Sequence, residues 1–577
     1  MNTEPDPLPP QEPIDPYHGG PVGAGIDWAD PNSPLARFYL TTSGVFAVAI
    51  LGLAFLLLSL FPLSHTDFWA HLKYGEWIVA NREIPGIEPL GEFTDKQTRM
   101  FDAMWLSQVS YHALFEGGGA AAGGDERSRF EGGVEAVRLA HLFATVVALG
   151  LFGLACRRAS GSIPWASGGM VFILVLMLSP LGVQRPQAFG ITCYAAVLCV
   201  LSRDQPGRLS MFGLPLLMVL WANTHGSFVL GFGLIGVFLI GRAAGVGRAE
   251  GVKAAWRNPG VRVHLVALIL GGIAVAFLNP YGPSIYLEVA RFGSSPNLQT
   301  VVEWQPLDFS QPRGGHWGYL GTVVFLIVTQ IASPRWFSVP QMLLIVTLGV
   351  WPLFQQRAMT WWIPIVVWIA APHWVVAVQR WGMAREMGVA SLRKTALAVV
   401  IALVLIIMSP ASTWVKTGQP RPTTQAVYRG TPNDIADALM GRPAANPERV
   451  AALVRVVQDE HRKRFTGRVF ASETQGDYLV WALPPDAPVM IFNHAQVFPS
   501  AFWTACLAVK AAAPGWERML DRYLVKAVVV EIESSPALCD ALRTSPNWKV
   551  VVDEANAPVR DPRARLFVAI RKNASGV

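Results

Sequence analysis

Two side chains suited to acid–base chemistry stand four residues apart, just after the first long apolar segment. Asp67 and His71 belong to a polar stretch that begins SHTDFWAHLKYGEWI. A helix over residues 67–80 places both on one face, together with Tyr74 or Gly75. A carboxylate and an imidazole beside a membrane suit proton transfer, a metal ion or a cationic partner. An interfacial helix whose polar groups are satisfied is the alternative.

The composition indicates that most of the chain lies in lipid. Hydrophobic residues make up 52% of the 577 residues and charged residues only 15%, whereas roughly a quarter of the residues in soluble domains are charged. The net charge of +7 does not indicate nucleic acid, because the cations gather in short loops between apolar segments. We therefore expect membrane lipids, and not nucleic acid, as the surroundings of the chain.

The apolar segments predict an α-helical polytopic membrane protein with about eleven transmembrane helices. The predicted spans are about 40–62, 135–156, 163–183, 187–202, 209–223, 227–241, 263–279, 316–333, 338–354, 358–378 and 395–412. They form a transmembrane domain over 39–413 with a first outer loop at 64–134. That loop contains GGGAAAGGDERSRFEGG, a composition that predicts a flexible connector. Residues 1–38, rich in Pro, Asp and Gly, predict a disordered cytoplasmic tail.

Loop charges predict the orientation in the membrane. With the N-terminus inside, about fourteen Lys and Arg residues fall in cytoplasmic loops and about four in short outer loops. This asymmetry favours a cytoplasmic N-terminus in the inner membrane. Eleven spans then place the C-terminus outside.

Residues 414–577 predict a small extracytoplasmic α/β domain. Helical patterns at 432–441, 447–463, 499–512 and 535–543 alternate with the β-rich runs VMIF, KAVVVE, WKVVVD and RLFVAI. The domain has no glycine-rich phosphate fingerprint and no nucleophile elbow, so binding or capping is favoured over catalysis. Cys506 and Cys539 are the candidates for an exported disulfide, and the spacing of the five cysteines predicts no metal site.

Polar residues gather at the predicted outer ends of the spans. Those selected as candidate site residues are Arg185, Gln187, Asn223, His225, Tyr281, Gln356 and Arg357. Polar groups at membrane depth are costly and usually face a cavity. The two arginines suit an anion such as phosphate, although an arginine at a membrane interface also snorkels. Asn223 and Tyr281 lie in turn-like sequences, and Glu303 reads as a plain loop carboxylate or a residue that lines the site.

The chain carries a series of short motifs: the pattern D-x-W-x-H-L-x-x-G-x-x-I begins at Asp67, and IPGIEP, RPQ, WANTHG and GDYLVWALP follow. Over about residues 40–577, the chain resembles the GT-C fold of integral-membrane glycosyltransferases that use lipid-linked sugars. This combination resembles a mostly uncharacterised bacterial branch of the superfamily. The chain departs from better-known members in two places. Phe68 replaces the second residue of an acidic pair, and Asn493 and His494 follow VMIF.

The resemblance implies an inverting transferase with an extracytoplasmic site. Its donor would be a polyprenyl-phosphate-linked sugar, and its acceptor an unknown glycan, lipid or protein. Asp67 would act as the general base or orient the acceptor hydroxyl, with His71 tuning it. Arg185 and Arg357 would neutralise the departing lipid phosphate. Asn223, His225 and Gln187 would bind sugar hydroxyls, and Tyr281 and Gln356 are further candidates for substrate binding.

Other classes stay open. A divalent cation is compatible with this chemistry but not required, and no metal ligand set is predicted. A transporter or lipid-binding protein could use the same outer cavity without chemistry. A transporter predicts inverted repeats and polar residues near the midplane, whereas the polar residues here lie at one end of the spans. A scaffold whose C-terminal domain recruits partners is the third interpretation.

Overall fold

The computed structural model describes residues 36–64, 67–97, 99–310, 315–383, 388–461, 464–557 and 564–572. The N-terminal part of the described chain, as far as Met408, is helical. The helices are α1 (Thr42–Ser59), α2 (Phe68–Asn81), α3 (Trp105–Ala122), α4 (Glu126–Ser160), α5 (Ile163–Gly182), α6 (Gln187–Leu201), α7 (Leu214–Thr224), α8 (Val229–Glu250), α9 (Val252–Arg257), α10 (Pro259–Leu278), α11 (Ile285–Phe292), α12 (Gly315–Ala332), α13 (Val339–Leu344), α14 (Met359–Arg380) and α15 (Leu392–Met408). Short 3-10 and π turns link or extend several of them.

The long apolar helices make the chain an integral multi-pass membrane protein. Among the described residues, six helices (α1, α4, α5, α8, α10 and α14) are long and apolar enough to cross a bilayer, α8 and α14 each with the turn before it. α15 and the short helical segment that follows it, which are bent by 76° relative to each other, together make a seventh candidate. The four shorter apolar helices are α6, α7, α12 and α13, with α7 and α13 each counted together with its adjacent turn. Each of the eleven predicted segments coincides with one of these helices. The number of spans remains a prediction.

The glycine-rich connector in the first loop is not a flexible linker, which corrects the prediction. Five of its glycines lie inside α3 and α4, Gly123 and Gly124 lie in the short turn between them, and the two helices pack against each other. A Cβ on Gly118 would overlap the carbonyl oxygen of Gly132 and the Cβ of Ala136. Glycine therefore permits the close backbone approach of two helices here. Asp125 begins α4 by accepting a hydrogen bond from the backbone nitrogen of Ser128, at 2.8 Å.

The C-terminal part is a small α/β domain, as predicted. Its helices are α16 (Thr413–Thr417), α17 (Thr423–Ala426), α18 (Asn433–Leu439), α19 (Pro447–His461), α20 (Glu473–Ala482), α21 (Ser500–Lys510), α22 (Trp516–Arg522) and α23 (Pro536–Thr544). Its strands are β1 (Arg468–Ala471), β2 (Val525–Glu531), β3 (Trp548–Asp553) and β4 (Leu566–Arg571). They form one sheet in the order β1-β2-β4-β3, with β1 parallel to β2 and the other pairs antiparallel.

One predicted strand is wrong. The run VMIF forms only an isolated bridge, between Val489 and Val469, while RVFA supplies β1. Both runs are short and apolar, so periodicity alone does not distinguish them. RVFA forms the strand because it pairs with β2.

The C-terminal domain packs directly on the first loop. Phe68, Trp69 and Leu72 of α2 share a buried apolar core with Leu479 of α20 and Val529 of β2. An apolar core that includes residues from both regions holds α2 against the domain. The fold thus places the N-terminus of α2 between the membrane helices and the C-terminal domain.

Residues 1–35 of the predicted tail lie outside the described residues, and Ala36–Phe38 form a short 3-10 helix. The domain boundaries and the orientation in the membrane remain predictions. Cys506 and Cys539 are both buried and free, which corrects the disulfide candidate.

Candidate functional site

Arg185 lies between two carboxylates at the end of α5. Its Nε is 3.2 Å from Oδ1 of Asp67, and its Nη1 is 2.6 Å from Oε1 of Glu303. Pro186 disfavours helical geometry at the residue before it, so the chain turns between α5 and α6 at this point. The three charged groups come from three separate loops. The turn therefore holds a guanidinium where the first loop and the loop before α12 meet.

Asp67 is a carboxylate in this arrangement. Burial raises the pKa of Asp67, but the attraction of Arg185, followed by that of the neighbouring imidazoles, outweighs it and holds the pKa well below its usual range. Glu303 behaves similarly: burial raises its pKa, yet Arg185 brings it below the ordinary value. The site in this state is an ion-paired cluster. Asp67 is consequently a weak proton acceptor while Arg185 stays beside it.

His71 is neutral, and its tautomer follows from its partner. Nε2 of Gln108 lies 3.0 Å from Nδ1 of His71 and 3.1 Å from Oδ1 of Asp102. Because that amide nitrogen has two hydrogens, it donates one to each, which leaves the imidazole proton on Nε2. Burial lowers the pKa of His71 to about 4. Nε2 of His71 lies 3.9 Å from Oδ2 of Asp67, close to the carboxylate but beyond hydrogen-bond distance.

A cavity of about 400 Å³ opens beside this cluster. Its polar end includes Arg185, Gln187, Glu303, Gln356 and Arg357. Its apolar wall includes Leu176, Met177, Leu181, Ile191, Met359 and Ile363. The cavity therefore combines a cationic mouth with an apolar interior formed mainly by α5, α6 and α14, as an amphiphilic ligand with an anionic head requires.

Two residues at the mouth are tied to the loop that carries Glu303. The guanidinium carbon of Arg357 lies 5.7 Å from the centroid of the Trp304 ring. The backbone nitrogen of Gln356 donates to the carbonyl oxygen of Gln305 at 2.9 Å. These contacts link the start of α14 to the loop, so the mouth is built by both.

Five predicted site residues lie outside the cavity lining: Asp67 and His71, which belong to the cluster beside Arg185, and Asn223, His225 and Tyr281. Asn223 accepts hydrogen bonds from Nε1 of Trp105 (3.0 Å) and Nδ2 of Asn279 (3.1 Å). The hydroxyl of Tyr281 accepts from the backbone nitrogen of Asp102 at 2.8 Å. These bonds brace the loops around the mouth. Their roles in sugar binding remain predictions.

His225 occupies a turn between α7 and α8. Its Nδ1 lies 3.1 Å from the backbone nitrogen of Ser227 and 2.7 Å from the hydroxyl of the same residue. It caps the short 3-10 turn Gly226–Phe228 and is buried. The structure thus gives it a local structural contact, and its proposed contact with substrate stays a prediction.

Several residues beside Asp67 and His71 were not singled out from the sequence for this site. Gln108 contacts His71 directly, and the rings of His494 and His71 lie 4.7 Å apart. Asp477 lies with Oδ1 3.9 Å from Nδ1 of His494. These residues come from distant parts of the chain, and no spacing in the sequence connects them.

The two carboxylates at the mouth do not fit a metal ion. In the described ranges, no group of three or more His, Cys, Asp or Glu side chains is placed to hold one. The guanidinium of Arg185 occupies the space between Asp67 and Glu303 and supplies the positive charge there. We therefore derive no step through a cation.

Comparison with known proteins supports the fold. No protein-family model and no curated protein matches the chain. Among solved structures, the chain is similar to the archaeal oligosaccharyltransferase AglB from Archaeoglobus fulgidus, in complex with an inhibitory peptide and a dolichol-phosphate. The TM-score is 0.50 at 12% identity, over 87% of this chain and 70% of that one. ArnT from Cupriavidus metallidurans bound to undecaprenyl phosphate gives 0.44 at 15% identity, over 92% and 98%.

The first similarity covers both the helical part and the C-terminal domain. The fold of the chain is therefore GT-C-like, as the sequence motifs predicted. At this level of identity the likeness concerns the fold alone.

Proposed function

We propose that the protein is a membrane glycosyltransferase that moves a sugar from a polyprenyl-phosphate-linked donor to an acceptor on the extracytoplasmic side. The observation that carries the proposal is Arg185, which lies at the mouth of an apolar cavity and beside the candidate base Asp67. The fold adds support, since AglB, which shares it, is an oligosaccharyltransferase with a dolichol-phosphate bound.

The cavity suits the two halves of such a donor. The phosphate would lie near Arg185 and Arg357, because a forked guanidinium binds phosphate oxygens in pairs. The first isoprene units would follow the apolar wall between α5, α6 and α14. Gln187 and Gln356 line the same mouth and can bind sugar hydroxyls. A polar mouth and an apolar wall thus match a polar head and an apolar tail.

Donor binding would also activate the base. The guanidinium of Arg185 holds the pKa of Asp67 low, and a phosphate that draws this guanidinium to itself weakens that pairing. The pKa of Asp67 then rises toward the range of a useful base. In the transfer, the acceptor hydroxyl gives its proton to Asp67 as its oxygen bonds to the sugar carbon. The bond from that carbon to the phosphate oxygen breaks, and the lipid phosphate leaves with the electron pair, so the anomeric configuration inverts.

A lipid-binding or transport-type protein is the second candidate. The low pKa of Asp67 favours it, because a strongly ion-paired carboxylate accepts a proton poorly. Such a protein would bind the lipid phosphate in the same cavity without breaking the sugar–phosphate bond.

The test is a paired assay of full-length wild type and Asp67→Asn in nanodiscs. Each is offered a panel of radiolabelled polyprenyl-phosphate sugars together with a crude envelope acceptor fraction, and donor binding and sugar release are scored separately. We expect wild type to turn over one donor, and Asp67→Asn to bind that donor with turnover reduced by about 100-fold or more. Glu288→Gln is the matched control, since Glu288 is a partly exposed carboxylate that pairs with Arg291 instead.

Binding without turnover in both proteins would support the lipid-binding alternative. Equal turnover in wild type and Asp67→Asn would show that Asp67 is not the catalytic base. A failure of wild type to bind every donor would reject the proposed substrate class.

A further inference from the structure

The first turn of α2 receives its capping group from the C-terminal domain. Oδ2 of Asp477, in α20, accepts a hydrogen bond from the backbone nitrogen of Ala70 at 3.1 Å. Ala70 is the third residue of α2, and its N–H group has no partner within the helix. A side chain that accepts from this position is an N-cap in its chemistry. Here it comes from 407 residues away.

The residue that occupies the N-cap position makes a different contact. Asp67 directly precedes α2, and in the described part of the chain its side chain makes no capping hydrogen bond to the helix. Its carboxylate pairs with Arg185 at 3.2 Å. Aspartate at an N-cap ordinarily accepts from the second or third helical N–H. Because Asp477 accepts from the third helical N–H, that of Ala70, Asp67 pairs with Arg185 without leaving this N–H unsatisfied.

The position of Asp477 is fixed by its own surroundings. Asp477 is fully buried. At the preceding residue, Gly476, a Cβ would overlap the carbonyl oxygen of Ile491. Only glycine allows α20 to approach this segment so closely. The capping carboxyl is therefore held by a well-packed part of the domain.

We propose that Asp477 is a positioning residue, which caps α2 from the C-terminal domain and thereby holds Asp67 in its pairing with Arg185. The catalytic part of this inference rests on the proposed function. It gives the C-terminal domain a defined task at the active site. Without the cap, the Asp67 carboxylate would turn to the N–H groups of α2, the nearest unsatisfied donors, and leave Arg185.

Two substitutions separate capping from charge. Within the described residues, Oδ1 of Asp477 and Nδ1 of His494 have no hydrogen-bond partner and lie 3.9 Å apart. Asp477→Asn keeps an acceptor oxygen for the N–H of Ala70 and can direct its amide nitrogen to Nδ1 of His494. Asp477→Ala removes the acceptor. Asparagine and aspartate are equally good N-caps, whereas alanine is a poor one.

The experiment uses the full-length protein in nanodiscs and two readouts. Hydrogen–deuterium exchange of peptides covering residues 67–74 reports the first turn of α2, and donor turnover reports the placement of Asp67. We expect Asp477→Ala to speed exchange in this turn and to lower kcat by about 10- to 100-fold, the loss that a displacement of about 1 Å produces. Donor affinity should change little, and Asp477→Asn should behave as wild type in both readouts.

Asp434→Ala is the matched control. Asp434 is equally buried in the same domain, but its carboxylate accepts a hydrogen bond from Asn446 and pairs with Arg449 instead. Asp434→Ala should lower the unfolding temperature without changing exchange at the start of α2. In an Asp67→Asn background, Asp477→Ala should reduce the residual turnover no further, since it acts through Asp67.

Unchanged exchange in Asp477→Ala would overturn the proposal, whatever the turnover. Loss of turnover in Asp477→Asn equal to that in Asp477→Ala would also overturn it, because the cap would then be irrelevant. If wild type turns over no donor while exchange responds as expected, the proposed function fails and the capping role stands.

Discussion

At the scale of residues, the guanidinium of Arg185 belongs both to the ion-paired cluster and to the lining of the cavity. It contacts Asp67 and Glu303 and lines the mouth of the cavity together with Arg357. Its positive charge is balanced by two carboxylate partners, Asp67 and Glu303. A lipid phosphate must therefore compete with both carboxylates for the guanidinium, and a weaker pairing with Asp67 is what would raise the pKa of Asp67.

Replacing Arg185 should weaken donor binding specifically. We expect Arg185→Ala to reduce donor affinity by about 10- to 100-fold, since a hydrogen bond to a charged group is worth roughly 1.5–3 kcal/mol. Binding of a radiolabelled polyprenyl-phosphate sugar in nanodiscs measures this loss. Arg291→Ala is the control, because Arg291 is an exposed arginine paired with Glu288. An equal loss in both variants would indicate a general charge effect and not a site.

His71 should make the stability depend on pH. Burial lowers the pKa of His71 from 6.5 to about 4 in the folded protein, so the unfolded chain binds the proton more readily. The stabilising contribution is therefore present above pH 6.5 and is lost as the pH falls toward 4, with a total of roughly 3 kcal/mol. The unfolding temperature of wild type should fall more between pH 7 and pH 5 than that of His71→Gln. Equal falls would contradict the buried neutral state of His71.

At the scale of elements, the crossing of α3 and α4 depends on the absence of side chains. Gly118 faces the carbonyl oxygen of Gly132 and the Cβ of Ala136, whereas Gly117 faces open space. The two glycines are neighbours in the same helix and differ only in the face they occupy. This contact fixes the position of α3, which carries Gln108, the hydrogen-bond partner of His71.

The two glycines provide a matched pair of substitutions. Gly118→Ala should destabilise the protein by about 1–3 kcal/mol, the usual effect of overpacking. Gly117→Ala should be neutral or stabilising by up to about 1 kcal/mol, because alanine favours helix more than glycine does. Thermal unfolding in detergent distinguishes them. Similar unfolding temperatures for the two variants would contradict the close crossing.

At the scale of the whole molecule, a buried ion pair joins the helical part to the C-terminal part. Glu135 of α4 pairs with Arg421 at 2.8 Å and with Arg138 at 3.0 Å, and all three side chains are buried. Removal of one partner from such a group leaves uncompensated charge. This pairing secures the segment that leads into the C-terminal domain, and with it the docking of that domain on α2.

Glu135→Ala should therefore be strongly destabilising. We expect a loss of about 3–5 kcal/mol in the free energy of unfolding, because Arg138 and Arg421 would remain buried without their carboxylate. Glu126→Ala, in the same helix, removes an exposed ion pair with Arg442 and should cost less than about 1 kcal/mol. Unfolding temperatures in nanodiscs provide the measurement. A small effect of Glu135→Ala would show that water or another group compensates the two arginines.

The sequence indicated local structure well where one physical signal dominates. Long apolar runs predicted helices at all eleven positions, since backbone groups in lipid must be satisfied within the segment. The helix that follows Asp67 was also expected, because its apolar and polar residues alternate with helical spacing. The glycine-rich connector was misread, since glycine in a loop and glycine at a helix crossing have the same composition. The choice of RVFA over VMIF as a strand depended on pairing with β2.

Hydropathy and motifs were enough to predict the membrane character, the GT-C-like fold and the group of polar residues that includes Asp67, Arg185 and Arg357. Both are local properties of the chain. Three contacts became visible only in the folded chain: Glu303 and Asp67 share one guanidinium, Gln108 assigns the proton of His71, and Asp477 accepts from the first turn of α2. Each of these contacts joins residues from separate elements. Such contacts depend on how helices and domains pack, and spacing along the chain does not encode them.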